Sequence, residues 1–531
     1  MTSAAFSVEF YHRGNSMVAS QPVNQRIILK NTLFLYVRML ALTFAGLYAV
    51  RILLNSLGAH DYGIYNAVAG IVTLLAFLSN SMASSTQRYF AFALGKKNQD
   101  MLRCVFCTNL RVYFFIILLT VFFAETAGLF FLNQKLALPA DRLAEANCVY
   151  QFAVLTLICQ IFTTPFVAMI IAHEDMHLYT FASAFDVFLK LLSAYVVSYF
   201  SGSKIVGYAL LHFISLTFSV FIYLWICRKK YPECHFQLKV YDKKLFKEIF
   251  CFTGWTLFGS MTSVIRGQMV TLLLNQMFTN PVLVASKVIA LNVSQAVGSF
   301  SNNFNIGLYP SIVKCYASGA KQDMYRVIFV GSKITFFLMW FLTFPLLLRM
   351  DFVLSLWLNS SLEYSVLFTQ LALIEALILS VSLPLTTAAR AVGNMKTYEL
   401  VLGSMQILIF PISWIVLTTG YPPYSVFIVA IGMNVLMFIA RLIIVHHLCG
   451  ISIQGFIYKV FFPAIWVVIL SGIPCYYLNK IIPEGFVGSC TAGLTTCTIS
   501  GIMMFCFGFT REQRCQIINL CKTKLKQGAL K

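Results

Sequence analysis

The chain reads as an all-α polytopic membrane protein of about 14 transmembrane helices, built as two parallel six-helix lobes followed by two C-terminal spans. Composition is the first ground. Hydrophobic residues make up 59% of the 531 and charged residues only 11%, too little polar surface to cover a water-soluble globule. The second is the recurrence, along the whole chain, of apolar runs of about 20 residues, the length that crosses a roughly 30 Å hydrocarbon core. The third is the placement of charge. Of 39 Lys and Arg, 26 fall in the two tails, the loops after even-numbered spans and the span ends adjoining them, against five on the side of the loops after odd-numbered spans. That is the positive-inside pattern, and it puts both termini in the cytoplasm. It also accounts for a net charge of +20 without nucleic acid as a partner.

Residues 1–30 form a cytoplasmic tail with neither a long apolar core nor a small-residue cleavage pattern, so the first span serves as its own targeting signal. The N-lobe, 31–227, holds spans near 32–57, 63–93, 105–132, 146–172, 178–200 and 204–227. A basic linker, 228–249, carries Arg228, Lys229, Lys230, Lys239, Lys243, Lys244 and Lys247, as suits a solvated loop lying against anionic headgroups. The C-lobe, 250–449, holds spans near 250–277, 281–310, 325–349, 362–389, 397–419 and 424–447. Two more, near 456–478 and 486–509, occupy 450–509 ahead of a basic cytoplasmic tail, 510–531.

The lobes read as a duplication. Pro165, Met176 and Tyr179 recur as Pro384, Met395 and Tyr398, all offset by 219. Leu53-Leu54-Asn55 recurs as Leu273-Leu274-Asn275, and Gln99-Asp100-Met101 as Gln322-Asp323-Met324, in the same order along the chain. An even number of spans per copy makes the lobes parallel, the architecture in which two halves rock about a central cavity.

Eight cations lie inside spans, Arg38, Arg51, Arg88, Arg111, Lys190, Arg266, Lys287 and Lys333, against three acids, Glu125, Asp186 and Glu375. An ionised side chain at that depth needs a partner, a cavity or a route to the interface. Arg38, Arg88, Arg111 and Lys333 lie close enough to helix ends to snorkel. Arg266 is too deep for that. Arg51 shares a helix face with Asn55 four residues on, a polar stripe suited to a cavity. Asp186 and Lys190, also four apart, suit an intrahelical pair that opens when an anion or proton arrives. Glu375, with no partner nearby in sequence, is a candidate for binding a proton or cation. The excess of positive charge points to an anionic ligand, and arginine suits diphosphate through its planar donor fork.

His173-Glu174-Asp175-Met176-His177 matches H-E-x-x-H, a zinc pattern when it lies on a helix. Here it falls at a span junction, and its repeat counterpart, Val392 to Lys396, carries no ligands. Cys104 and Cys107 form a lone C-x-x-C with no second pair. With no P-loop, dinucleotide fingerprint or catalytic constellation, the chain reads as a non-enzyme without cofactor or metal.

Three stretches carry a family resemblance. NTLFLYVRMLALTFAGLYAVRILLNSLGAHDYGIYNAVAGIV with ASSTQRYFAFALGKKN resembles the N-terminal part of bacterial Wzx-type polysaccharide flippases, of the multidrug/oligosaccharidyl-lipid/polysaccharide (MOP) exporter superfamily that includes MATE transporters and MurJ. TPFVAMIIAHEDMHLYTFASAFDVFLKLL resembles that group's passage from helix 4 to helix 5, and SFSNNFNIGLYPSIVKCYASG the end of its helix 8. The resemblance implies translocation of a polyisoprenyl-diphosphate-linked oligosaccharide across a bacterial inner membrane, for surface polysaccharide or O-antigen synthesis. It also implies membrane lipids, H+ or Na+, and the polysaccharide polymerase machinery as partners. Arg51, Asn55, Arg266 and Lys287 are then expected at the substrate, with Arg51 and Arg266 facing each other across the lobes; Asp186, Lys190 and Glu375 are expected to couple the ion. A MATE-like exporter of organic cations has the same architecture and is the alternative.

Overall fold

The computed structural model describes residues 25–73, 77–134, 142–234, 242–278, 281–358, 364–483 and 485–515, and every element among them is helical. In the N-lobe these are α1 (Gln25–Thr73), α2 (Phe77–Gly95), α3 (Gln99–Gln134), α4 (Leu143–Ala172), α5 (Met176–Val196) and α6 (Lys204–Lys230). The C-lobe comprises α7 (Lys243–Met277), α8 (Pro281–Ala317), α9 (Lys321–Leu348), the short α10 (Met350–Leu358), α11 (Ser365–Val392), α12 (Lys396–Thr418) and α13 (Ser425–Cys449). The terminal pair is α14 (Ile453–Ile481) and α15 (Phe486–Gly508). Eleven of these helices meet a span's length and hydropathy over the described residues. With α1 supplying the first span and α2 and α8 two more, the all-helical, two-lobed architecture agrees with the expected 14.

Two elements differ from expectation. A break was expected between residues 57 and 63, yet α1 is helical throughout its 49 residues. No proline falls in that stretch to enforce a break. Along α1, Leu35 packs with Ile171 and Met176 at the start of α5, Leu53 with Val197 at the end of α5, and Val68 and Val72 belong to the main core that also holds Val149 and Val154 of α4. The second surprise is α10, whose residues were expected to be loop.

Helix ends follow local chemistry. The Asn98 side chain accepts from the Met101 N–H and opens α3, and Asp242 accepts from Lys244 and Leu245 to open α7. Gly393 and Gly450 close α11 and α13 at φ of +93° and +76°, where a Cβ would be strained. The repeat is visible in space. Pro165 lies inside α4 and Pro384 inside α11, while Met176 and Met395 are buried at the next junction. Tyr179 and Tyr398 each lie under a guanidinium, Arg38 at 4.2 Å and Arg441 at 5.9 Å from the ring centre.

The terminal pair packs on α9. Lys333 of α9 donates to Gln513 Oε1 at 3.0 Å and lies over the Phe509 ring, and Phe337 and Val467 share a second apolar core with Met504. Lys333 therefore does not snorkel; it is buried and clamps the end of α15.

Candidate functional site

Four C-lobe helices bring polar groups together. Arg266 Nη1 of α7 and Asn434 Nδ2 of α13 both donate to Oε1 of Glu375 on α11, each at 2.9 Å. The Asn434 amide is steadied by a second bond to the Ala430 carbonyl, 2.9 Å away. Beside them, Lys287 Nζ of α8 donates to Thr271 Oγ1 at 2.7 Å and to the Gly267 carbonyl at 3.0 Å, both on α7. Arg266 and Glu375 lie roughly ten residues, about 15 Å, from the helix ends opposite the basic loops. The Arg266 side chain keeps 24% of its surface exposed and Glu375 9%. The cluster is therefore one ion pair, Arg266 with Glu375, with a second cation, Lys287, held beside it by α7 and the arginine still partly exposed. Glu375, which has no partner nearby in sequence, is held by groups 109 and 59 residues away.

The other expected site residues are placed differently. Arg51 lies on α1, but its side chain is outside the described ones, and Asn55 is exposed. Arg266 has its ion-pair partner in its own lobe, and its expected position facing Arg51 turns on a side chain outside the described ones. Asp186 and Lys190 form no ion pair. The Asp186 carboxylate accepts from Tyr223 of α6 at 3.3 Å, while Lys190 is exposed. Arg38, expected to snorkel, instead donates to Ser183 Oγ at 2.9 Å and stacks on Tyr179. Arg88, also expected to snorkel, is buried between the lobes.

The lobes meet on the face from which the basic loops emerge. Ser85 Oγ lies 2.9 Å from Thr253 Oγ1, Tyr89 donates to Glu248 at 3.3 Å, and Tyr309 donates to the Ser84 carbonyl at 2.9 Å. A Cβ at Gly95 would stand 2.8 Å from that of Ala317 and 3.0 Å from the Lys314 backbone, so α2 and α8 touch there as closely as helices can. Two cations finish the seam in related ways. Arg88 of α2 reaches the end of α11, donating to the Val392 carbonyl at 3.2 Å and resting on Gly393. Lys314 of α8 reaches the corresponding turn after α4 and pairs with Glu174 at 2.7 Å. Glu174 and Gly393 are repeat counterparts, and Glu174 holds the glycine-like φ of +65°. A left-handed conformation costs a non-glycine residue about 1–2 kcal/mol. The turn tolerates this because the Glu174 N–H bonds the Ile171 carbonyl at 2.9 Å and the Asp175 N–H the Ile170 carbonyl at 3.1 Å.

The H-E-x-x-H stretch is thus part of the seam. His173 stacks on Tyr231 at 4.3 Å and donates through Nε2 to Glu233 at 2.7 Å. Asp175 accepts from Tyr231 at 2.7 Å and pairs with Lys230 at 2.8 Å. Burial alone would raise the Asp175 carboxyl, but the bonds from Lys230 and Tyr231 outweigh it and hold it below its ordinary value. Glu233, opposed in the same way by burial and lowered by His173, behaves alike. A lowered carboxyl contributes stability fully present above the ordinary value of about 4 and lost as pH falls through the lowered one. Tyr231→Phe should therefore make the turn loosen at a higher pH than in the wild type. Hydrogen exchange of residues 173–177, followed as pH is lowered, measures this; identical pH profiles would refute it.

A cavity of about 130 Å³ lies within the N-lobe, lined by Tyr65, Thr156, Gln160 and His212 among others. It is well below the roughly 300 Å³ of a pocket for a drug-sized ligand. Among the described residues no group of His, Cys, Asp and Glu could hold a metal ion.

This is an all-helical polytopic membrane fold. Solved structures place it more closely. The chain is similar to a multidrug resistance MATE family transporter of the MOP superfamily in its outward-facing conformation, at 12% identity and a TM-score of 0.69 over 80% of this chain and 95% of that one. It is also similar to MATE in the straight conformation, at 13% identity and a TM-score of 0.68 over 80% and 96%. A third is a MOP superfamily transporter from Pyrococcus furiosus, described as having a binding pocket of reverse polarity that suggests a different function, at 14% identity and a TM-score of 0.64 over 80% and 95%. No family model and no curated protein matches the chain. At these identities the likeness is one of fold, that of MOP superfamily transporters.

Proposed function

We propose that the chain is a flippase that moves a polyisoprenyl-diphosphate-linked oligosaccharide from the inner to the outer leaflet of a bacterial inner membrane by alternating access, coupled to an H+ or Na+ gradient. The observation that supports this reading is the Arg266–Glu375–Lys287 cluster, which leaves positive charge and the unengaged part of an arginine fork inside the membrane. Diphosphate suits such a fork, because two parallel N–H donors match two phosphate oxygens. The N-lobe cavity is too small for a glycan, so the substrate is assigned to the space between the lobes, with its lipid tail left in the bilayer. With the basic loops in the cytoplasm, a seam closed on that face corresponds to an outward-facing state.

MATE-like export of organic cations is the second reading, favoured by the fold likeness and by a carboxylate, Glu375, at the centre of the cluster. The two separate in one experiment. Reconstituted vesicles carrying a fluorescent short-chain polyisoprenyl-diphosphate sugar should transfer it between leaflets in the presence of the protein, with no transport of cationic dyes. Dye transport with a static lipid would establish the second reading instead.

A further inference from the structure

A carboxylate that neither the cluster nor the seam uses lies in the first turn of α12. Glu399 is 8% exposed, and among the described residues no hydrogen-bond donor or ion-pair partner reaches it. It is covered by α7 at Gly259, where even a methyl group would collide with the carboxylate. The charges that act on it are Arg390 of α11 and Arg441 of α13. Neither is bonded to it: Arg441 Nε is engaged by the Tyr398 hydroxyl at 2.8 Å, and Arg390 Nε has no partner. On its own helix Lys396 lies over Trp255 of α7, and α7 places Phe258 and Thr262 against the next turn, at Gly403. A buried carboxylate without donors is costly as an ion and comfortable as an acid. The covering helix also takes part in the seam between the lobes, through Thr253 on Ser85 and Glu248 on Tyr89.

We infer that Glu399 is a proton-binding site, separate from Glu375, that is covered while α7 packs on α12 and exchanges its proton with water when those two helices part. The step is Glu399 carboxylate plus one proton giving the neutral acid, with the proton drawn from the aqueous phase on the basic-loop side. This rests on the reading of the chain as an alternating-access transporter, but its test needs no substrate.

Infrared titration of the purified protein in lipid nanodiscs reads the C=O stretch of protonated carboxylic acids directly. Glu399→Gln should remove one titrating carboxyl per chain while leaving the Glu375 contribution in place. If that variant does not accumulate in membranes, Gly259→Ala presses on the same carboxylate from the facing helix and should shift the same band. An unchanged titration in whichever variant is measured would overturn the proposal. Loss of the band together with absent lipid-diphosphate transfer would leave the proton site standing and remove only the flippase reading.

Discussion

Replacing Arg266 with alanine should abolish translocation and also lower the thermal stability of the purified protein, and the two effects can be separated. In the native cluster Glu375 accepts from both Arg266 and Asn434. Without the arginine it is a nearly buried carboxylate steadied by one amide. Removing one partner of a buried pair typically costs about 3–5 kcal/mol, most of it the penalty of the charge left behind. Arg266→Ala/Glu375→Ala removes that penalty, so its melting temperature should recover most of the loss while transport stays absent. A single variant that melts like the wild type would show the pair to be energetically idle. A double variant that transports would show that the cation is not needed for the substrate.

The second large effect is expected at the seam. Glu174→Gly relieves a left-handed backbone and so favours the turn by about 1 kcal/mol. It also deletes the acceptor of Lys314, so the basic-loop face should open even though the local fold improves. Spin labels at Lys97 and Ser318, on turns adjoining the Gly95–Ala317 contact, should report a longer distance distribution in Glu174→Gly than in the wild type. Glu174→Lys with Lys314→Glu should restore the short distance. Unchanged distances in Glu174→Gly would mean that apolar packing alone closes that face.

Much of the architecture was legible in the sequence because spans and duplication are written in local patterns. Hydropathy needs only a window of residues, and Pro165 with Pro384 kept a fixed spacing to Met and Tyr neighbours that proved to be the same junction in each lobe. The site was less legible because its partners are distant in sequence. Nothing local to Glu375 announces Arg266. Where local spacing did suggest a pair, at Asp186 and Lys190, it misled: the carboxylate turns toward Tyr223 on α6 while the lysine is exposed. Snorkelling was expected of Arg88 and Lys333 on depth alone, but both found carbonyl or amide oxygens inside the protein, a nearer acceptor than water. Glu399 went unremarked because a first-turn acid reads as a rim residue until the helix that covers it is known.

The clamp of Lys333 on Gln513 and Phe509 makes α14 and α15 passengers of the C-lobe. On the alternating-access reading proposed above, the two bodies that rock are of unequal bulk, and the larger would sweep more lipid as it turned. Bilayer thickness and lateral pressure would then bear on the conformational equilibrium chiefly through that flank, making the membrane itself an effector of the C-lobe.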